Sequence, residues 1–416
     1  MRSIEGYDVK IFTDNVEKIA IEQIKQLLSI DVFSCCQIRI MPDVHAGAGC
    51  VIGFTGDLGD KVIPNIVGVD IGCGILVQPF QWLKEINFHT FNEFILGIIP
   101  SGRNHRSDKY IPLPQKYMDR YIEAKSIIRQ IHCYRELKDV KRLNKSIGTL
   151  GGGNHFIELD KDEQGVYYLV VHTGSRNLGK QVADIYQAKA VKHLTDGADE
   201  FEETIKRTIE EYKAAGRRSE LQSVIKKMRK EHQEAEPRLP ASRCFVVGEG
   251  REHYLHDMRL CQRWAVLNRK LISLLLLRFF PGVVVKEEFE SVHNYISDEN
   301  IIRKGSISAA EGERCIIPLN MRDGSLLCTG KGNPDWNYSA PHGAGRVLSR
   351  TQAYEKITME DFEASMQGIY SESVNDFTRD ESPMVYKPAE EIIANIGETV
   401  SIDTIIRPIF NFKASK

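Results

Sequence analysis

The sequence predicts a mixed α/β fold in which layered β-sheets are flanked by helices. Short strand-like runs interrupted by glycines occupy the chain up to about residue 80, and similar runs recur beyond residue 150. Among the later runs lies a long region, 181–277, whose apolar residues follow helical spacing instead. The chain has 416 residues and 42% hydrophobic content, enough for a large core.

The first predicted element is a helix near the amino terminus, with Thr13 and Asp14 as its cap. Its apolar positions are Val16, Ile19, Ala20, Ile24, Leu27 and Leu28. Strand-like runs follow at QIRIMPDV, CVIGFTG and GILVQPF, and later at HFIEL, VYYLVVHTG, VVVKEEFESV, RCIIPL and SLLCTG. Most of the predicted sheet structure therefore consists of short strands.

The region 181–277 predicts three helices. Its charged part, from Asp199 to Glu236, carries apolar residues at helical spacing on both sides of Gly216, which separates two helices. Those residues are Phe201, Ile205, Ile209 and Tyr212, then Leu221, Val224, Ile225 and Met228. A third helix, Tyr254 to Leu276, is apolar enough to be buried. Because the sequence contains no internal repeat and no low-complexity linker, we expect one catalytic domain, 1–416, with 181–277 as a helical insertion.

Charge and cysteine content limit the class of protein. A net charge of −2 and a pI near 6.7 exclude a generally basic nucleic-acid coat protein, although a local basic groove remains compatible. The nine cysteines have no regular spacing apart from Cys35-Cys36, and MRSIEGYDVK does not resemble a signal peptide, so we expect free thiols in the cytoplasm. The run LISLLLLRFFPGVVV is interrupted by Arg278 and Pro281, and no membrane span is expected.

The stretch IPNIVGVDIGCGI places one carboxylate and one thiol three residues apart among glycines. Asp70 and Cys73 lie where the backbone is predicted to bend rather than to continue a strand. A buried carboxylate is costly unless a positive group pairs with it. Two interpretations therefore remain open: a tight structural turn, or a cation held by an oxygen and a sulfur ligand.

Three histidines strengthen the cation interpretation, since each lies at a predicted strand end. They are His155 after GGGN, His172 before TGSR, and His293 before Asn294. One such histidine is more often a packed core residue. Three imidazoles, a thiol and a carboxylate exceed the needs of one tetrahedral site, and sulfur can bridge two ions. The set favours Mn²⁺ or Zn²⁺ over Mg²⁺, and paired ions suit phosphate chemistry.

A second unusual stretch, SAPHGAGRVLSR, combines a histidine, small residues and two cations. Arg346 and Arg350 are four residues apart and can lie on one helix face, while the small residues allow phosphates close to the backbone. Arg176 and Lys304 lie in similar glycine-flanked settings, which together favour polyanion binding. No GxxxxGK[ST] loop occurs. His342 can serve as general acid, metal ligand or nucleophile toward phosphorus, and His45 is a further candidate for the site wall.

Seven motifs then occur in the order found in the RtcB family of RNA ligases. They are MPDVHAGAG, GVDIGCG, GTLGGGNHFIE, HTGSR, VHNY, RKGSISA and HGAGRVLSR, and the similarity extends to the carboxy-terminal FNFKASK. The resemblance implies an RtcB-like fold and an enzyme that depends on GTP and two Mn²⁺ ions. Such an enzyme joins RNA ends bearing 3′-phosphate or 2′,3′-cyclic phosphate to 5′-hydroxyl ends, through a histidine–GMP and then an RNA-ppG intermediate.

The resemblance also implies residue roles. His342 would be the nucleophile, oriented by Asp43; one ion would be held by Cys73, His172 and His293, and the other by Asp70, Cys73 and His155. The guanylate contacts would be Asn154, Glu158, Asn320, Ser325, Ala344, Tyr386 and Lys413. The contacts to RNA phosphates would be Arg176, Lys304, Arg346 and Arg350.

One departure from the family pattern concerns the guanylate contacts. After CIIP the family sequence Gly-Ser-Met-Gly is replaced by Leu319-Asn320-Met321-Arg322, so glycines that allow close backbone approach are lost. The change indicates a divergent paralogue, and we hypothesise specialisation in repair of cleaved RNA rather than tRNA splicing. It leaves the predicted metal ligands unchanged.

Two other functions compete with ligation. A metal-dependent phosphodiesterase or phosphatase acting on RNA ends would use the same ions without covalent guanylylation. A non-catalytic RNA-binding protein would keep the fold alone, but such a protein has no need of five converging ligands. The expected state is a monomer, with a dimer left open.

Overall fold

The computed structural model describes residues 2–30, 33, 36–57, 59–107, 109–235 and 239–414, without the side chains of 195–203, 219 and 232–235. Cys35 of the cysteine pair, Glu236 at the end of the charged stretch, and the last two residues of FNFKASK lie outside this description. The same holds for the side chain of Phe201.

The described residues form sixteen β-strands. In chain order they are β1 (Arg2–Ser3), β2 (Val9–Ile11), β3 (Ile38–His45), β4 (Ile52–Gly56), β5 (Gly74–Gln81), β6 (Phe156–Lys161), β7 (Tyr167–Thr173), β8 (Val284–Val285), β9 (Phe289–Val292), β10 (Asn294–Ile296), β11 (Ile302–Lys304), β12 (Ser306–Ser308), β13 (Arg314–Asn320), β14 (Gly324–Gly330), β15 (Ser339–Pro341) and β16 (Val400–Lys413).

Eleven α-helices accompany the strands in the same part of the chain. They are α1 (Lys18–Leu28), α2 (Pro64–Val67), α3 (Phe88–Ile98), α4 (Met118–Gln130), α5 (Val140–Asn144), α6 (Arg176–Ala214), α7 (Leu221–Ala235), α8 (Gly248–Leu276), α9 (Arg350–Lys356), α10 (Met359–Ser365) and α11 (Ala389–Ile396). None of these described helices combines the length and the apolar character that crossing a bilayer requires.

Two large sheets organise the fold. One has the strand order β1-β2-β3-β4-β11-β10, and the other has the order β13-β14-β16-β6-β7-β5-β8, with β9 also pairing with β5. The pairing is antiparallel except between β2 and β3. A small sheet of β12 and β15 lies apart from both in the strand order. The fold is therefore mixed α/β with several sheets, as the sequence predicts.

The two faces of the larger sheet enter different cores, which follows from the two-residue period of a strand. Leu76, Leu169 and Val171 join the main core, to which α8 contributes Leu271 and Leu275. On the opposite face, Ile75, Val77 and Val170 pack with Ile316 of β13 and Ile406 of β16. Cys73 and His172 follow the parity of this second face, so the fold directs them away from the helices.

The predicted elements are largely present. The eight strand-like runs correspond to β3 to β9, β13 and β14, with VVVKEEFESV divided into β8 and β9. Gly216, at φ +71°, lies between α6 and α7, and the apolar helix is α8. The predicted cap was wrong: α1 begins at Lys18 after Glu17, whereas the Thr13 hydroxyl accepts a hydrogen bond from the Asn15 amide.

Candidate metal and nucleotide site

The five predicted metal ligands converge at one end of the larger sheet. They form two groups that share one thiol: Cys73 with His172 and His293, and Cys73 with Asp70 and His155. Cys73 Sγ lies 3.4 Å from His172 Nε2 and 3.5 Å from His155 Nε2. Ligand atoms about 3.4 to 3.8 Å apart suit a tetrahedral ion with bonds of about 2.1 to 2.3 Å. The spacing therefore fits two ions that share the sulfur.

The histidine rings are held with Nε2 directed inward. Nδ1 of His155 lies 3.0 Å from the Leu150 carbonyl oxygen, and Nδ1 of His172 lies 3.1 Å from that of Asn154. A carbonyl accepts a proton from Nδ1 and so leaves the Nε2 lone pair for a metal. Burial lowers the pKa of both His172 and His293 well below the ordinary value, which keeps these rings neutral and able to bind a cation.

The two remaining ligands differ in charge. Burial and the neighbouring Asp70 carboxylate raise the pKa of the Cys73 thiol well above its usual value. Desolvation alone would raise the pKa of Asp70, but hydrogen bonding and charge attraction from His155 lower it overall. A bound divalent cation supplies the positive charge that converts such a thiol to thiolate. The donor set thus fits a pair of divalent ions.

Two glycines allow the ligand-bearing loops to approach each other. Gly72 has φ +69°, and a Cβ there would lie 2.7 Å from the Gln262 Cα atom of α8. A Cβ on Gly174 would lie 2.2 Å from Asp70 Oδ1. Any side chain at either position would push Asp70 or Cys73 out of place. This steric requirement explains the glycines at these positions of the GVDIGCG and HTG motifs.

Arg269 of α8 supports the centre from behind, and the sequence analysis missed it. Its fully buried guanidinium donates from Nη1 to the Gly72 and Thr173 carbonyl oxygens, each at 2.8 Å. Nη2 donates to Glu290 Oε2 at 2.8 Å. Arg269 therefore ties together the segments that carry Cys73 and His172. Arg269 lies in the polar triplet Asn268-Arg269-Lys270, so no local pattern in the sequence marked it for this role.

A cavity of about 630 Å³ opens on one side of the metal ligands, a size suited to a nucleotide. His172 and His293 line its inner end. Most of the predicted nucleotide contacts also line it: Asn154, Glu158, Asn320, Ala344, Tyr386 and Lys413, together with Arg346 and Arg350. His45 lies on the same wall. The structure thus brings residues from both large sheets to one cavity.

His342 lines this cavity beside the metal ligands. Its Nδ1 atom is 2.6 Å from Asp43 Oδ2, and its backbone amide donates to the same oxygen at 3.2 Å. Asp43 is fully buried. The ring centroid of His342 is 4.9 Å from that of His293. With Nδ1 held by the carboxylate, Nε2 is the ring nitrogen left for a partner in the cavity.

Two carboxylates occupy the far end of the cavity. Glu158 Oε1 accepts a hydrogen bond from Asn411 Nδ2 at 2.5 Å. Burial raises the Glu158 pKa to about 7, although the Lys413 charge opposes this shift. Glu381 lies beside Tyr386 and Lys413 and is buried. Sequence reasoning identified Glu158, Tyr386 and Lys413 but missed Glu381 and Asn411, whose segments carry no glycine or histidine signal.

Asn320, in the divergent segment 319–322, uses its side chain for hydrogen bonds within its own turn. Its Oδ1 atom accepts hydrogen bonds from the Arg322 and Asp323 amides at 3.0 and 2.9 Å. Its Nδ2 atom donates to Asp323 Oδ2 at 2.8 Å. The side chain thus closes a local turn at the cavity edge, and all of its polar atoms are engaged there.

Two predicted contacts lie away from the cavity wall. Among the described residues, the buried Ser325 hydroxyl has no hydrogen-bond partner, and Ser325 is not one of the lining residues. Lys304 is buried, and its ammonium donates to the carbonyl oxygens of Ala48 and Asn65 at 2.5 and 3.1 Å. The structure therefore does not bring Lys304 to the cavity, and both assigned roles remain predictions.

Arg176 lies in a separate groove on the other side of the metal ligands. The groove, of about 310 Å³, is lined by Asp70 and His155 and by four cationic residues: Arg103, Arg142, Arg176 and Lys180. Arg176 has φ +60° and donates from Nη2 to the Gly102 carbonyl oxygen at 2.9 Å. Cations beside a carboxylate–imidazole ligand pair suit a phosphate-bearing chain.

Comparison with known proteins finds one family over most of the chain. A family model described as "tRNA-splicing ligase RtcB" matches residues 23–414. RNA-splicing ligase RtcB of Escherichia coli strain K12 is 28% identical over 400 residues, covering 89% of this chain and 88% of the relative. tRNA-splicing ligase RtcB of Aeropyrum pernix is 24% identical, covering 96% and 93%. RNA-splicing ligase RtcB2 of E. coli strain ATCC 25922 is 23% identical, with the same coverage.

Proposed function

This chain belongs to the RtcB family of RNA ligases, and from that premise we propose that it joins broken RNA with GTP and two Mn²⁺ ions. The RNA ends would be a 3′-phosphate or 2′,3′-cyclic phosphate and a 5′-hydroxyl. The observation that carries the proposal is His342. It is anchored by the buried Asp43 and lies against His293 of the metal-ligand set, inside a cavity of nucleotide size.

Nucleophilic attack is the role that this anchoring supports. Asp43 Oδ2 accepts the Nδ1 proton of His342, which leaves the Nε2 lone pair for the α-phosphorus of GTP. As the nitrogen–phosphorus bond forms, the bond to pyrophosphate breaks. Two divalent ions, when bound, supply charge neutralisation for the phosphate oxygens. Cys73, His172 and His293 would hold one ion, and Asp70, Cys73 and His155 the other.

The base end of the cavity is complementary to guanine. Glu158 is a hydrogen-bond acceptor for base N–H groups, and Lys413 is a donor for a base carbonyl oxygen. The Tyr386 ring supplies a stacking surface on the same wall. Asn154 and Ala344 line the cavity toward His342 and would contact the guanylate. Asn320, whose side chain closes the divergent turn at 319–322, and Ser325 would be further guanylate contacts.

The guanylyl group would next pass from His342 to the RNA 3′-phosphate, and the 5′-hydroxyl would then displace GMP. A cyclic phosphate would first be opened by water. Arg346 and Arg350 on the cavity and Arg176 in the groove would bind RNA phosphates, with Lys304 as a further predicted contact. RNA phosphates would thus be bound on both sides of the metal-ligand set, in the cavity that holds the nucleotide and in the groove.

Labelling with [α-³²P]GTP and Mn²⁺ tests the proposal. We expect an acid-labile labelled protein in the wild type, no label in His342→Ala, and normal label in His256→Ala, a surface histidine in the first part of α8. RNA with the stated ends should then be joined by the wild type but not by His342→Ala. Ligation-competent His342→Ala protein would contradict the assigned nucleophile.

A metal-dependent phosphodiesterase or phosphatase is the alternative supported by the same ligand set. It would release phosphate or open the cyclic phosphate without labelled protein, with no dependence on GTP. The hydrogen bond between His342 and the buried Asp43 favours ligation, because a hydrolase that uses two ions has no need of an oriented imidazole at this place. The same assay separates the two functions.

We further propose that residues 1–416 act as one monomeric catalytic domain with 181–277 as its insertion. We place the protein in the cytoplasm, because a free thiolate at Cys73 is kept reduced there. The divergent turn at 319–322 motivates the hypothesis of RNA repair. Cleaved rRNA fragments should then be joined faster than tRNA halves. Equal rates on all broken RNAs would contradict this specialisation.

A further inference from the structure

One buried carboxylate joins the phosphate end and the base end of the cavity. Glu381 ends the short 3₁₀ helix Asp376–Glu381 and is 3% exposed. Its Oε1 atom lies 3.3 Å from Arg346 Nη1 and 3.9 Å from Arg350 Nη2. Its Oε2 atom accepts hydrogen bonds from the Tyr386 hydroxyl at 2.8 Å and from Lys413 Nζ at 3.2 Å.

The two carboxylate oxygens of Glu381 contact residues with different predicted roles. Oε1 faces the arginines predicted to bind phosphate, whereas Oε2 faces the aromatic ring and the ammonium predicted to bind the base. Each of these four partners lines the cavity. A side chain held by several charge-assisted hydrogen bonds keeps its position before the ligand arrives, which reduces the entropy lost on binding.

We propose that Glu381 is a positioning residue of the nucleotide cavity. Glu381 holds Tyr386 and Lys413 in the orientation that selects a guanine base. This inference rests on the proposed function. A fixed ammonium donor favours a base with a carbonyl oxygen over one with an amino group at the same edge. If Lys413 lost its carboxylate partner, it would be free to turn away, and the discrimination would fall.

The adjacent Asp380 provides a matched control. It is equally buried, at 2% exposed, and it lies on the same turn. Its side chain accepts from the Tyr354 hydroxyl at 3.1 Å and lies 3.6 Å from Arg350 Nε, but no contact to Tyr386 or Lys413 is seen in the described residues. Asp380→Asn therefore removes a buried charge from this turn without touching the base end.

The test is equilibrium dialysis of the metal-loaded protein with labelled GMP and AMP. Neither nucleotide can react with His342, because a monophosphate has no pyrophosphate to release. We expect Glu381→Gln to weaken GMP binding by about tenfold to one-hundredfold and to lower the GMP-to-AMP preference by a similar factor. Asp380→Asn should change either affinity by less than about threefold. A loss that is equal for both nucleotides would indicate a merely structural role and overturn the proposal.

Tyr386→Phe provides a second route if Glu381→Gln fails to fold. It keeps the stacking ring and removes only the hydroxyl that donates to Glu381, so we expect about threefold or more weaker GMP binding. In the double variant the two losses should not multiply, because both substitutions act on the same Tyr386–Glu381 hydrogen bond. Unchanged GMP binding in either single variant, while the wild type prefers GMP, would overturn this inference alone. A wild type that binds neither nucleotide would remove the proposed function and this inference with it.

Discussion

The two groups of metal ligands share one sulfur but occupy different environments. Cys73, His172 and His293 are all buried, and the two histidines line the large cavity. In the other group, the Asp70 side chain is 31% exposed and faces the basic groove with His155. One group offers neutral rings in a desolvated pocket, and the other offers a carboxylate near solvent.

These two environments explain how one metal centre can serve two kinds of ligand. Charge in a desolvated pocket interacts strongly with whatever enters, which suits the compact phosphates of a nucleotide. The charge interactions of a carboxylate that lies near solvent are screened more strongly. Such weaker interactions suit an RNA chain that must enter and leave the groove. Cys73 is the only one of the described ligands common to both environments, so it couples them.

The largest expected effect comes from removing the shared sulfur. In Cys73→Ala both ligand groups lose a donor, so we expect loss of both ions and a fall in guanylylation of roughly a thousandfold or more, since changes outside the ligand set already cost 10–100-fold. Metal content by mass spectrometry checks the first, and the labelling assay checks the second. Cys133→Ala, another buried cysteine, is the control. A Cys73→Ala protein that retained two ions would refute the shared sulfur.

A smaller, asymmetric effect separates the two groups. His293 lies against His342, whereas His155 lies toward the groove. We expect His293→Ala and His155→Ala each to lose one ion, and His293→Ala to have the slower guanylylation, by about tenfold. Single-turnover labelling measures this ratio. If both variants slowed guanylylation equally, the assignment of the nucleotide to one side would be wrong.

A further effect concerns stability in acid. Burial lowers the pKa of His45, on the cavity wall, from 6.5 to about 4, although the hydrogen bond that its ring donates to the Asp43 carbonyl oxygen opposes this shift. Between those pH values the unfolded chain binds the extra proton, so the free energy of unfolding falls as pH falls from about 6.5 to about 4, by at most about 3 kcal/mol. Urea unfolding at several pH values measures this fall.

The groove side should respond in a different pH window. The pKa of Asp70 is lowered from 3.8, because hydrogen bonding and attraction from His155 outweigh desolvation. Its contribution to stability is therefore kept above pH 3.8 and is lost only below it. His45→Gln should flatten the curve between pH 6.5 and 4 relative to the wild type, and Asp70→Asn should not. The same slope in wild type and His45→Gln would contradict the desolvated state of the cavity wall.

Much of the candidate site could be predicted because glycine-rich turns and histidines at strand ends are local signals. The motifs around Asp70, Cys73, His155, His172 and His293 stood out by residue type alone, as did His342. Glu381 and Arg269 did not, because their importance comes from partners more than 20 residues away in sequence, such as Lys413 for Glu381. A buried charge can be recognised as paired only when its partner is visible.

Local sequence specifies which residue types are available for metal and phosphate chemistry, where the backbone bends, and which segments are helical or extended. These properties depend on backbone conformation and on the period of neighbouring side chains. Only the tertiary structure decided that Cys73 lies between two ligand groups, that Lys304 is occupied by backbone carbonyls, and that one carboxylate connects both ends of the cavity. Those facts depend on which distant strands pair, and strand pairing is set by the packing of the whole core rather than by any local pattern.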